Sequence, residues 1–333
     1  MILHSAVVST QSVQPLDSPG GFSQSSIGAV FPMASALNIS DLNKQFGNGV
    51  QALKNIDLTI DEGEFFSILG PNGAGKSTLI NIAAQVVSKS SGSVTVFDHC
   101  IDQYPQQAKL LLGYTPQEVA LDSFFTVREI LINHSGYYGI ADNRVWIDHL
   151  LEKLHLTPFA NRNSKTLSGG MKRRLTIAKA LVHQPKVLIL DEPTAGVDVS
   201  LRHSLWEFIR ELHLGGTTII LTTHYIEEAQ MLADRVAIMG DGSVIACDHT
   251  QQLLKSFGTR RFEIQLTDDQ LTLPAVLGSI QRRNDQLWVE GAFKTDSARE
   301  IFAWLSHNSA QVIDVRIEPA SLEDVFLKLT AKS

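Results

Sequence analysis

From about Ala36 onward the chain alternates apolar and polar positions in recognisable periods. Leu37-Asn38-Ile39 and Ile56-Asp57-Leu58-Thr59-Ile60 put an apolar side chain at every second position, the pattern of half-buried strands. Asp61-Glu62-Gly63-Glu64 makes a turn, and Phe65-Phe66-Ser67-Ile68-Leu69 is a short strand that runs into a glycine-rich loop. The pattern predicts a helix from Thr78 to Val87 and another strand over Ser93–Phe97. Between about Glu118 and Lys165 the segments read as helical, with Thr126 as a cap before Val127-Arg128-Glu129. Strands return at Val187–Leu190, Thr218–Thr222 and Val236–Met239. One helix between them carries Leu205, Phe208 and Leu212, with Leu201, on one face. Strands separated by helices imply an α/β fold with a largely parallel sheet.

The pattern changes after Phe257-Gly258. Strands are expected at Arg261–Leu266, Gln286–Glu290 and Val312–Ile317, and helices at Thr295–His307 and Ser321–Leu329, the last opened by Ser321 with Asp324. Residues 259–333 are therefore expected to form a small separate α+β domain. At the other end, residues 1–33 are rich in Ser, Gln, Pro and Gly, contain Asp17 as their only charged residue and show no period. They read as a disordered extension, with translation beginning at Met33 as a second reading.

Composition adds exclusions. The formal charge of −7 gives no reason to expect a nucleic-acid partner. No run approaches the ~18 consecutive apolar residues of a membrane span. Met1–Thr10 lacks the Lys or Arg of a signal peptide, so a soluble or peripheral protein is expected. The two cysteines, Cys100 and Cys247, lie far apart and read as free thiols in a reducing compartment. The histidines, among them His99, His134, His149 and His183, show no ligand spacing.

The chemistry is concentrated in a few short segments. Gly70-Pro71-Asn72-Gly73-Ala74-Gly75-Lys76-Ser77-Thr78 fits G-x-x-x-x-G-K-[ST] between a strand and a helix, the context that gives this motif its meaning. Its glycines let backbone N–H groups converge, the helix N-terminus favours an anion, Lys76 reaches β- and γ-phosphates and the Ser77 hydroxyl suits Mg²⁺. Val187-Leu188-Ile189-Leu190-Asp191-Glu192-Pro193 is an apolar strand ending in two acids. Asp191 is read as the Mg²⁺ partner and Glu192 as the base for the attacking water. In Leu167-Ser168-Gly169-Gly170-Met171, Ser168 caps a helix and the glycines open its start to a ligand. His224, in Leu221-Thr222-Thr223-His224, ends a strand and is placed to bond a γ-phosphate. The basic run Lys172-Arg173-Arg174 is read as a solvated helix face rather than a nucleic-acid site.

Together these segments resemble the nucleotide-binding subunits of ABC transporters over about residues 37–250. The order of motifs matches: phosphate loop at 70–78, Gln117 as the Q-loop glutamine, signature at 167–171, acidic strand end at 187–192, Asp198 of the D-loop and His224 of the switch. The resemblance implies a P-loop NTPase (RecA-like) core with an antiparallel β subdomain and a helical subdomain at about 118–165, within a cassette at 34–258. It implies ATP and Mg²⁺ as cofactors, catalytic roles for Glu192, His224, Gln117 and Lys76, and Mg²⁺ contacts from Ser77, Gln117 and Asp191. Phe46, in Lys44-Gln45-Phe46-Gly47, matches the aromatic that stacks on adenine, with core packing as the alternative. A head-to-tail pair of identical subunits is implied, each ATP lying between one copy's phosphate loop and the other's Ser168-Gly169-Gly170. Two positions depart from the usual pattern: Met171 stands where Gln is common, and Phe46 where Tyr is common.

A narrower resemblance is to the type 2 exporter branch. It rests on Leu167–Leu175, Asp191–Asp198, Thr222–Ala229 and the ending Glu318–Leu329. It implies a six-helix permease partner, outward movement of drugs, lipids or glycans, and a place on the inner face of the cell membrane. Phe124 and Phe125 read equally as core residues or as a groove for a permease helix. The competing expectation is a soluble ABC-type ATPase acting on ribosomes or DNA, which usually carries two cassettes or a long coiled-coil insert. A GTPase is the third, and Asn43-Lys44-Gln45-Phe46 fails the N-K-x-D guanine motif at its acid.

Overall fold

The computed structural model describes residues 34–194, 199–267, 271–274, 277, 280–283, 286–293 and 298–330. The reading of 1–33 as disordered and the D-loop Asp198 lie outside the described residues.

The chain opens with β1 (Ser35–Gln45), β2 (Gln51–Asp61) and β3 (Phe65–Leu69). The phosphate loop then leads into α1 (Lys76–Ala83), β4 (Ser91–Val96), β5 (His99–Cys100), α2 (Pro105–Leu111) and β6 (Leu112–Thr115). β1, β2, β4 and β5 form an antiparallel sheet in the order β2-β1-β4-β5. The helical segment contains α3 (Val127–Tyr137) and α4 (Arg144–Lys153), followed by α5 (Gly169–Leu181). Thr126 caps α3 as expected: Glu129 N–H donates to its hydroxyl, and the Glu129 carboxylate accepts from the Thr126 N–H, a reciprocal capping box.

The next elements are β7 (Val187–Asp191), α6 (Val199–Leu214), β8 (Thr218–Thr223), α7 (Ile226–Leu232), β9 (Arg235–Gly240), β10 (Ser243–His249) and α8 (Thr250–Phe257). The central sheet runs β10-β9-β3-β8-β7-β6, parallel except for the β9–β10 pair. Its strands are near-continuous apolar runs because both faces are covered. Phe65, Leu69, Leu188, Leu190, Ile219 and Leu221 face the core shared with α3–α6. Their neighbours Phe66, Ile68, Val187, Ile189 and Ile220 face the core beneath the antiparallel sheet and α1. The period of two thus sorts each strand between two cores, and both cores hold the strand ends from which the site residues emerge.

The last part contains β11 (Arg260–Leu266), β12 (Ile280–Arg283), β13 (Gln286–Phe293), α9 (Ala298–His307), β14 (Val312–Glu318) and α10 (Leu322–Thr330). The four strands form an antiparallel sheet in the order β12-β13-β11-β14 around a small core of Phe262, Ile264, Leu266, Val289 and Ile301. α10 departs from the expectation of a self-contained domain over 259–333. Its Leu322 and Val325 are buried in the cassette core, and the Leu322 N–H donates to Gln230 Oε1 of α7 at 2.7 Å. The chain leaves the cassette, builds the small sheet and returns a helix to it.

Other differences are local. The helix expected from Thr78 begins at Lys76 and ends at Ala83. The short β5, β6 and α2 were not anticipated. Phe124 is 88% exposed and Phe125 is also exposed, which removes the core alternative for both. Leu205 and Phe208 are buried and Leu212 is half-buried, as their shared face requires. Cys100 and Cys247 are free thiols.

Candidate functional site

The phosphate loop turns between β3 and α1 because its glycines allow what other residues would not. Gly75 has φ +97°, and a Cβ there would come 2.6 Å from the Ala52 carbonyl oxygen. At Gly70 a Cβ would meet the Met239 carbonyl oxygen at 2.7 Å. The loop residues Asn72 to Thr78 line a cleft of about 570 Å³ together with Gln117, Glu192, Ala52 and Lys54. Gly70 and Pro71 hold the base of the loop, where their carbonyls accept from the Lys76 ammonium at 2.6 and 3.1 Å. Lys76 is only 6% exposed. Burial lowers its pKa, while Glu192 and Asp191 pull it back up.

Two acids end β7 beside the loop. Asp191 is buried, and its Oδ1 accepts from the Thr222 hydroxyl of β8 and, at 3.5 Å, from Ser77 Oγ. Burial raises its pKa against the lowering effect of those hydrogen bonds. Glu192 follows in a left-handed backbone conformation, φ +47°, uncommon for a residue with a side chain. Its carboxylate lies between two other residues expected in the site. Gln117 Nε2 donates to Oε2 at 3.2 Å, and His224 Nδ1 lies 3.2 Å from Oε1. Three segments far apart in sequence thus meet on one carboxylate at the cleft. A carboxylate so held can accept a proton from water, and the hydroxyl and carboxylate oxygens of Ser77 and Asp191 are the hard donors that suit Mg²⁺. Among the described residues no cluster of three His, Cys, Asp or Glu could hold a metal.

The remaining expected residues sit elsewhere. Phe46 lies at the β1–β2 turn, its N–H bonded to the Val50 carbonyl at 2.9 Å. It is 39% exposed, so it is not a core residue, and it does not line the cleft although Val50 does. Ser168 caps α5, accepting from Met171 N–H at 3.3 Å. Neither Ser168, Gly169 nor Gly170 lines the phosphate-loop cleft of the same chain. A Cβ at either glycine would meet nothing within 4 Å, so this helix start is open.

Three contributors escaped the sequence. Thr222 braces Asp191. Glu228, buried on α7, accepts hydroxyl hydrogen bonds from Thr194 beyond β7 and from Thr223 beside His224, tying the two strand ends together. The third corrects the reading of Lys172-Arg173-Arg174 as a solvated face: Arg173 and Arg174 are 3% and 6% exposed. Arg174 Nη1 donates to the Leu154 carbonyl at 2.7 Å. Arg173 donates to the carbonyls of Pro116, Gln117, Asp191, Glu192 and Pro193. The one available signal was the α5 period, which puts Arg173 near the inward-facing Ile177 and Ala180.

Comparison with known proteins identifies the family. Residues 53–195 match the model of the ABC transporter family. The chain is 34% identical over 300 residues to the Nod factor export ATP-binding protein I of Rhizobium sp. (strain N33), spanning 89% of this chain and 97% of that protein. This chain belongs to the ABC transporter family. It is also 36% identical over 307 residues to the daunorubicin/doxorubicin resistance ATP-binding protein of Streptomyces peucetius, spanning 89% and 92%. A dimeric ABC transporter cassette in a post-hydrolysis state bound to ADP and Pi matches with a TM-score of 0.59 and 27% identity, covering 64% of this chain and 98% of that one. The fold is that of an ABC cassette with a P-loop NTPase core, and the chain is an ATP-binding, ATP-hydrolysing subunit that powers a membrane transporter. No helix among the described residues is long and apolar enough to cross a membrane.

Proposed function

We propose that this ABC ATPase drives an exporter through ATP-dependent closure of two copies of the chain. The observation that carries the reading is the Glu192 carboxylate, held between Gln117 and His224 at the mouth of the phosphate-loop cleft. Backbone N–H groups of 72–78 and the Lys76 ammonium bind the phosphates. Ser77 and Asp191, with Gln117, would hold Mg²⁺, which when bound would neutralise phosphate charge. Glu192 accepts the proton of the attacking water, and His224 orients Glu192 and meets the γ-phosphate. Phe46 offers its ring to adenine from the adjacent turn. Ser168, Gly169 and Gly170, open and outside their own chain's cleft, complete the site of a second copy, and Asp198 belongs to the loop that couples the two sites.

The export direction follows from the relatives, whose names state Nod factor export and drug resistance. The partner is an integral-membrane permease, which places the chain on the cytoplasmic face of the membrane. A cleft of about 790 Å³ next to Gln117 suits a permease helix: Leu110, Tyr114 and Pro116 line it with Tyr137, Tyr138 and Lys179. Phe124 and Phe125, both exposed in the segment before α3, are further candidates for contact with the permease.

The test is Glu192→Gln. It removes the proton acceptor and keeps the shape, so the variant should bind ATP, lose turnover by about 10²-fold or more, as loss of a positioned base does, and accumulate as an ATP-bound dimer in size-exclusion chromatography. Turnover at the wild-type rate would falsify the base assignment.

A further inference from the structure

Arg173 is in the second turn of α5, the helix that Ser168 caps. Its planar fork reaches the two backbone segments that leave the C-terminal ends of the paired strands β6 and β7, and fixes them to each other beyond the last ladder pair, Thr115 with Leu190. Nη1 donates to the carbonyls of Pro116 and Gln117, the latter at 3.1 Å. Nη2 donates to the carbonyls of Asp191 and Glu192, the latter at 2.8 Å, and Nε to that of Pro193 at 3.3 Å. One guanidinium therefore holds both segments that place Gln117 and Glu192 in hydrogen-bond contact. It also braces the left-handed turn at Glu192, a conformation that persists only when its surroundings over-determine it. A guanidinium presents five donors in a fixed fork, and a lysine ammonium at this place could not span both segments.

Ser168–Gly170 open the same helix, one turn before Arg173. An α-helix moves as a rigid rod over so short a span, so the signature residues and Arg173 shift together. We propose that Arg173 is a positioning residue that couples the two nucleotide sites: engagement of Ser168–Gly170 with a second copy's nucleotide is transmitted through α5 and the Arg173 fork to Gln117 and Glu192 of its own site. The proposal rests on the composite-site reading above. It gives each chain one physical connection between the site it completes and the site it owns, and predicts cooperative turnover.

The experiment compares wild type with Arg173→Lys and Arg173→Gln in the full-length chain. A fluorescent ATP analogue should bind all three with affinities within about twofold, because neither the phosphate loop nor Lys76 is touched. In the variants kcat should fall about tenfold or more with little change in KM, as expected when an interaction needed only for turnover is lost. The Hill coefficient for ATP should drop from well above one to about one as coupling between sites is lost. Hydrogen exchange at the Glu192 amide, which bonds to the Thr222 carbonyl at 3.0 Å, should quicken in both variants without nucleotide. Lysine failing like glutamine separates fork geometry from charge. Arg173→Lys retaining wild-type kcat and cooperativity would overturn the proposal. So would parallel loss of ATP binding and thermal stability, or failure of both variants to fold, since each marks a purely structural arginine. A wild-type chain that hydrolyses ATP as a monomer without cooperativity would instead refute the composite-site reading itself.

Discussion

Lys76 is the residue on which the phosphate loop most depends. Its ammonium is nearly enclosed and hydrogen-bonded to the loop's own carbonyls, with two carboxylates close enough to favour its charge. Truncation leaves those carbonyls and the phosphates without their cation. Lys76→Ala should therefore abolish ATP turnover, a loss of at least about 10²–10³-fold by analogy with removing one preorganised donor from a developing charge. A phosphate-release assay measures it, and turnover within tenfold of wild type would refute the role. Residues of this kind were legible in the sequence because their spacing is dictated by local chemistry: the loop glycines, Lys76, Ser77, and the acids after an apolar strand. Gln117, which meets Glu192 at the cleft, was legible only through the family resemblance. Thr222 and Glu228 were not legible, and the helical period was the one signal for Arg173. A buried arginine that bonds carbonyls has the same local appearance as a solvated one, and its partners are dispersed over residues 116–193.

At the scale of elements, long strands and helices with clear periods were placed well, while β5, β6 and α2 were missed because two to seven residues carry too little pattern. The destination of α10 was hidden for another reason. Its apolar face is evident in sequence, but not which core it fills. Leu322 is fully buried against the cassette, so Leu322→Ala should destabilise the whole cassette by about 2–5 kcal/mol. That lowers Tm by roughly 2–4 °C per kcal/mol for a unit of this size. A thermal melt in which only a minor transition shifts would show that the small sheet and α10 unfold alone.

A second prediction at this scale concerns His134 of α3 and His183 just after α5. The ring of His183 stacks on Tyr138 with centroids 3.7 Å apart, and His134 meets the same tyrosine edge-on. Burial holds both histidines at a pKa of about 4, with Lys179 and His183 further opposing charge on His134. The unfolded chain binds these protons near pH 6.5 and the folded chain only near 4, so the unfolded state carries more protons between those values. Stability should be full above about pH 6.5 and fall as pH drops toward 4. His134→Gln with His183→Gln should flatten that slope in urea unfolding measured across the window. An unchanged slope would assign the acid sensitivity to carboxylates instead.

For the whole molecule, the decisive question is whether one chain contains a site or half of one. Gly170 allows a clean test, because a Cβ there meets nothing within 4 Å in its own chain and an acid in the first turn of α5 suits the helix dipole. Gly170→Asp should fold and bind ATP in its own phosphate loop, yet place a carboxylate against the partner's γ-phosphate and block closure. Lys76→Ala has the opposite defect: an intact signature end and a failed phosphate loop. Each variant alone should be inactive. Mixed in equal amounts, they form pairs in which the Gly170→Asp chain supplies its phosphate loop and the Lys76→Ala chain supplies its signature, leaving one composite site whole. Random pairing under two-fold symmetry makes half the dimers mixed, each with one good site, so activity should return to at most about a quarter of wild type. Recovery well below that, with mixed dimers confirmed by mass spectrometry, would measure how strongly one site needs the other and so report on the Arg173 connection. Full activity of Gly170→Asp alone would mean that Ser168–Gly170 never touches nucleotide. Inactivity of both variants without recovery on mixing, despite mixed dimers, would be the limit of that dependence, one whole composite site being unable to turn over beside a dead one.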